Sequence, residues 1–126
     1  MLPADVKLWD RFLDRYGHEY SGFRYDVHVG GEIEKESHWT GKVVSMASWL
    51  ASKRIDAVGF KPGETVIFEV KPEAGVTAVG QLITYRMLYL EKYPPIGVVS
   101  CALVCENILP DERRVLEAQG FMVYVV

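Results

Sequence analysis

Between Arg54 and Gly75 the chain reads RIDAVGFKPGETVIFEVKPEAG, two β-rich runs on either side of Lys61-Pro62-Gly63-Glu64. A Pro-Gly pair in that position marks a turn: proline presets the backbone at one central residue and glycine accepts the left-handed conformation at the next. The segment is therefore expected to fold as a hairpin of strands 54–60 and 65–71. Side chains two apart share a face of a strand, so Thr65, Ile67, Glu69 and Lys71 point one way and Val66, Phe68 and Val70 the other. The second set is core. A symmetric turn, of two residues or four, sets Asp56 directly opposite Glu69, with Cβ atoms roughly 4.5–5.5 Å apart. A turn of three or five residues would break this register.

Two carboxylates held that close repel unless a cation lies between them, and charges on half-buried strands are costly unless something pairs them. Hard divalent cations such as Mg²⁺ take oxygen ligands, commonly one or two carboxylates plus waters and substrate phosphate oxygens. Asp56 and Glu69 meet that minimum. Lys71, beside them, is placed to bind an anionic substrate or to orient a water. The trio suits metal-assisted hydrolysis of a phosphodiester, in which the metal activates water and neutralises charge in the transition state. The plain alternative is a surface ion pair between Glu69 and Lys71, with Asp56 a solvated edge residue.

The other elements follow from periodicity. Val6, Trp9, Phe12, Leu13 and Tyr16 recur at helical spacing, which predicts an amphipathic helix from about Ala4 to Tyr16 with Asp10 and Asp14 on its far side. FRYDVHVG alternates as a strand, stopped by Gly30 and Gly31. Residues 32–53 leave two readings open for KVVSMASWLASK, a short helix or a strand remnant. VTAVGQLITYRMLYL, about Val76 to Leu90, is apolar nearly all round and is expected to pack on the sheet with little of it exposed, stopped by Pro94 and Pro95. GVVSCALV reads as a central strand, PDERRVLEAQG as a helix ended by Gly120, and FMVYVV as a final strand. The order αβββαβαβ predicts an α/β fold, a mixed central sheet flanked by helices.

The 126 residues are one domain's worth of chain, expected to form a single domain over 1–126. No apolar run approaches the roughly 20 residues of a membrane-spanning helix, and MLPADVKLWD lacks a signal-peptide pattern, so a cytoplasmic location and no membrane partner are expected. Cys101 and Cys105, the two cysteines, sit in an apolar run and read as buried thiols. A net charge of −3 argues against a basic coat, yet Lys35, Lys42, Lys53, Arg54, Lys61, Lys71 and Arg86 cluster between residues 35 and 86. His18, His28 and His38 lack any metal-binding spacing. The tryptophans, Trp9, Trp39 and Trp49, read either as core or as stacking platforms for bases, and Trp39, in the polar run KESHWTGK, is the one expected to be exposed.

The spacing Ile55-Asp56, twelve residues, Glu69-Val70-Lys71 resembles the signature of the PD-(D/E)xK nuclease superfamily, with Ile55 where the name has proline. The core order of helix, three strands, helix and strand is close to the one read above. Downstream, Gln81 and Tyr85 in GQLITYR are four apart on one helix face and are similar to the Q-x₃-Y motif of RecB-like members. The resemblance implies a restriction-endonuclease-like domain and a nuclease dependent on Mg²⁺ or Mn²⁺, with DNA the expected substrate. It implies that Asp56 and Glu69 bind the metal, that the Val70 carbonyl adds a ligand, that Lys71 positions or activates the attacking water, and that Gln81 sits near the metal. Tyr85, Arg86 and Arg54 are the side chains assigned to the nucleic acid. An upstream acid completes the site in many members; Asp10, Asp14, Glu19 and Glu32 are open here, and Glu19, just before the first strand, is favoured. A homodimer or larger assembly is expected in order to hold a duplex, with FMVYVV as a pairing edge. The rival from another class is a non-catalytic domain of the same fold that binds nucleic acid or a protein partner.

Overall fold

The computed structural model describes residues 1–34, 36–94 and 96–126, so Lys35 of the basic cluster and Pro95 of the helix stop lie outside the described residues. Helix α1 (Pro3–Tyr16) begins with proline in its first turn, where no backbone N–H is needed. Its buried arc is Leu8, Trp9 and Phe12. Val6, expected on that arc, is 44% exposed. It stands about 120° round the helix from Phe12, whereas Leu8 stands about 40° away, so Leu8 takes its place.

After a 3-10 turn (Gly17–Glu19), strand β1 (Gly22–Val29) ends at Gly30 and Gly31, both at positive φ. At Gly31 a Cβ would come within 2.4 Å of the Ser48 carbonyl oxygen, so only glycine fits where α2 passes. The ambiguous segment is a helix, α2 (Gly41–Ala51), whose N-terminus is capped by Thr40 Oγ1 accepting from the Val43 N–H at 3.2 Å. β2 (Lys53–Lys61) and β3 (Glu64–Val70) form the hairpin, joined by the two residues Pro62 and Gly63. The remaining elements are β4 (Glu73–Ala74), α3 (Thr77–Lys92), β5 (Val98–Cys105), β6 (Asn107–Ile108), α4 (Pro110–Ala118) and β7 (Met122–Val125).

The main sheet has the order β1-β2-β3-β5-β7, antiparallel across β1, β2 and β3 and parallel across β3, β5 and β7. The hairpin register runs from Lys61↔Glu64 to Ala57↔Phe68, as a symmetric turn requires. β5 is interior, as its unbroken apolar run demands, and β7 is the outer edge. β4 and β6 form a separate two-residue pair that periodicity cannot detect.

Both faces of the sheet are covered. On one, Trp9 and Phe12 of α1 pack with Ala57, Val66, Phe68 and Val70, and the Phe68 ring meets those of Trp9 and Phe12 at 5.1 Å. On the other, Ala78, Leu82, Tyr85 and Tyr89 of α3, with Leu116 of α4, cover Val58, Ile67, Cys101 and Leu103. Both cysteines are free and buried. The expectation that α3 is covered nearly all round is corrected: as an outer layer it leaves Ile83 and Met87 turned to solvent, Met87 at 61%. Among the described residues no helix is long and apolar enough to cross a membrane.

Candidate active site

The site forms where β2 and β3 part. Their ladder holds to Ala57↔Phe68 and stops one residue before Asp56. The Asp56 Oδ2 instead accepts the Val70 backbone N–H at 2.9 Å, replacing the next ladder bond. On its other side, β2 pairs with β1 at Tyr25↔Ala57 and Val27↔Ile55 but skips Asp26 and Asp56, and Asp26 adopts a left-handed φ of +49°. Ile55 and Ala57 would share a face of a regular strand; here Ile55 packs on the α3 side and Ala57 on the α1 side. Both strands thus turn over at this point, which frees the Asp56 side chain from the sheet. The expected direct opposition of Asp56 and Glu69 is corrected accordingly: the two acids reach one site, but through a broken ladder.

Glu69 stays in register, parallel to Leu103 of β5, and is 6% exposed, the one charged residue buried among those described. Its Oε2 is buried without a hydrogen-bond partner. Burial, reinforced by the Asp56 charge, pushes its carboxyl up to about 8, against the opposing pull of Lys71. Burial also raises Asp56, partly offset by the Val70 N–H. Lys71 extends β3, its N–H donating to the Val104 carbonyl at 2.9 Å, and its Nζ reaches Gln81 Oε1 at 3.5 Å. Tyr85, one turn beyond Gln81, is buried; that burial, with the charges of Glu69 and Asp56, pushes its hydroxyl up to about 12.

Asp56, Glu69, Lys71, Gln81, Tyr85 and the Val70 backbone are therefore brought together. The Val70 side chain belongs to the α1-side core, so only its main chain meets the site. Three residues fall elsewhere. Glu19 is exposed on the 3-10 turn, where its charge acts on Tyr20 and Tyr124 rather than on the site carboxyls. Arg54 is exposed on β2 opposite His28. Arg86 is exposed, and its Nε donates to the Val99 carbonyl at 2.9 Å, near the start of β5, whereas Lys71 meets Val104 near that strand's end. Asp10, Asp14 and Glu32 are exposed as well.

The acid of α1 whose charge is felt at the site is Asp5. It is half-buried in the first turn, where its Oδ2 accepts the Leu2 N–H at 3.0 Å, and its charge raises the carboxyls of both Asp56 and Glu69. The signal was in the spacing: Asp5, Trp9 and Phe12 lie on one helix face, so Asp5 is an acid on the apolar arc.

Among the described residues no three His, Cys, Asp or Glu side chains are grouped closely enough to hold a metal by themselves. The chemistry of the donors still fits a hard divalent cation. Two carboxylates lie near enough for the charge of Asp56 to act on Glu69, and Glu69 has a buried oxygen that no protein group satisfies; cations such as Mg²⁺ need only one or two carboxylates plus water and phosphate oxygens.

No protein-family model and no curated protein matches the sequence. The fold does match solved structures. A repair endonuclease from Pyrococcus abyssi superposes with a TM-score of 0.59 at 18% identity, over 97% of this chain and 46% of that one. EndoMS in its apo form gives 0.57 at 21% identity, over 97% and 45%. EndoMS in complex with dsDNA gives 0.55 at 19% identity, over 100% and 46%. The chain thus has a fold found in repair endonucleases and spans less than half the length of those solved chains.

Proposed function

We propose that the chain is a metal-dependent nuclease of the PD-(D/E)xK kind that hydrolyses phosphodiester bonds of DNA. The observation that carries this reading is the buried, unpartnered Glu69 Oε2 beside Asp56 and Lys71. An acid so placed is expensive for folding and gains nothing structurally; a cation and an anionic substrate give it a purpose. The endonuclease fold, and a neighbour solved with dsDNA, favour DNA as the substrate.

Asp56 and Glu69 would hold Mg²⁺ or Mn²⁺ with a Val70 main-chain oxygen, and the charge of Asp5 on α1 acts on both. The ion would supply Lewis-acid stabilisation of the phosphate and a lowered pKa for the attacking water. Asp56 is fixed by the Val70 N–H, so its free oxygen is presented without rotamer loss. Lys71 is kept beside Glu69 by Gln81, where its ammonium can bind a phosphate oxygen or orient the nucleophile. Tyr85 belongs to the buried core on the α3 side and lies next to the carboxylates.

Cleavage of labelled single- and double-stranded DNA and RNA, in Mg²⁺, Mn²⁺ or EDTA, tests the proposal. Wild type is expected to cut DNA only with metal, and Asp56→Asn to lose at least ~100-fold of that rate while still folding. Binding without cutting in either metal would instead identify a non-catalytic domain.

A further inference from the structure

We propose, resting on the nucleic-acid reading above, that the cleft between β1, α2 and the C-terminal end of α3 receives an unpaired nucleobase of the substrate strand, stacked on Trp49. Trp39 was the tryptophan expected to be exposed; it is half-buried, and Trp49 is 60% exposed. That exposed ring is nevertheless fixed. His28 lies against it with ring centroids 3.5 Å apart and planes within 15°. Ser52 Oγ gives its single proton to the Trp49 carbonyl at 2.6 Å, which leaves that oxygen to accept from His28 Nδ1–H, also at 2.6 Å. Lys92 Nζ donates to the His28 carbonyl at 2.8 Å, and Ser48 Oγ to the Gly31 carbonyl at 2.7 Å.

α2 has no fully buried residue, so these polar bonds, rather than apolar packing, orient Trp49. An indole held rigid in solvent, one face covered by an imidazole, offers the other as a preformed stacking surface. The adjoining cleft, which both the Trp49 and His28 rings line, measures about 870 Å³. Tyr89 and Tyr93, their rings 4.8 Å apart, line it from α3. Arg24 and Lys92 give it two cations against the one acid Asp26, in a chain with 14 basic and 17 acidic residues. Aromatic faces with local cations suit a base and its phosphate.

Helix α3 also spans both places: Gln81, which meets Lys71, and Tyr89, which lines the cleft, belong to the same helix. Gln81 to Tyr89 is about 12 Å at 1.5 Å per residue, roughly three or four nucleotides at the 3.4 Å rise of a stacked strand. A paired base cannot offer its face to Trp49, so the ligand is a single-stranded or extruded base.

Binding in EDTA separates this from catalysis. The probes are a fluorescein-labelled single-stranded DNA of about 12 nucleotides, the same strand with an abasic residue at each position in turn, and its duplex. Trp49→Ala is expected to weaken single-strand binding ~10–100-fold with an unchanged melting temperature, and Trp49→Phe by no more than ~3-fold. One abasic position should weaken wild type yet leave Trp49→Ala unaffected. Equal binding by Trp49→Ala and wild type, or an equal loss on every abasic strand, overturns the stacking site even if metal-dependent cutting persists. Failure of wild type to bind any strand, together with no cutting in Mg²⁺ or Mn²⁺, overturns the nuclease reading and this site with it.

Discussion

Glu69→Gln is expected to raise the thermal midpoint by roughly 12–20 °C at pH 8, to change it little near pH 4.5, and to abolish metal-dependent cleavage. In the folded chain the Glu69 carboxyl titrates at about 8, against an ordinary 4.5. Between those values the folded state binds more protons than the unfolded state, so stability falls as pH rises from 4.5 through 8. At about 1.4 kcal/mol per pH unit the loss approaches roughly 4 kcal/mol at pH 8. Asp56, shifted in the same direction, adds to it. Glutamine keeps the shape and removes the charge, and each kcal/mol is worth about 3–5 °C in a chain of this size. Thermal melts of both proteins across that pH range read the difference directly. Equal melts at pH 8 would mean that Glu69 is solvated and that the site is not built as described.

Lys71→Ala is expected to lower the cleavage rate ~10²–10⁴-fold, the range for loss of a group that positions or activates a nucleophile. Its second effect separates it from a plain substrate-binding lysine. Lys71 is the neighbour that opposes the rise in the Glu69 carboxyl, so its removal pushes that carboxyl higher still. Mg²⁺ should then bind more weakly at pH 7 and regain wild-type affinity in more alkaline solution, whereas the catalytic defect should persist at every pH. Lys71→Arg should not rescue the rate, because a planar guanidinium cannot replace a compact ammonium 3.5 Å from Gln81. Single-turnover rates and metal affinities over a pH series distinguish the two effects.

Much of this site was legible because short-range rules govern it. Pro62-Gly63 fixed the turn, the turn fixed the register, and period-two parity put Glu69 and Lys71 on one face. Gln81 was legible from its spacing of four residues to Tyr85 on one helix face, which resembles the Q-x₃-Y motif. The break at Asp56 was not legible, since it depends on the left-handed backbone of Asp26 one strand away, and the sequence leaves an aspartate's φ undetermined. Asp5 was readable from its helix face but was passed over for acids nearer the first strand. Trp49 was hidden for the opposite reason. An apolar segment such as VVSMASWL reads as buried, yet polar bonds from Ser48 and Ser52 dock α2 and leave its indole in solvent.

The central claim, that Asp56 and Glu69 form a cation site, is tested most directly by titrating Mg²⁺ into the protein at pH 7 in two buffers of different ionisation heat. The account predicts release of about one proton per bound ion, shrinking toward zero above pH 9 and absent in Glu69→Gln. Binding without proton release, or no binding at millimolar Mg²⁺, would contradict it.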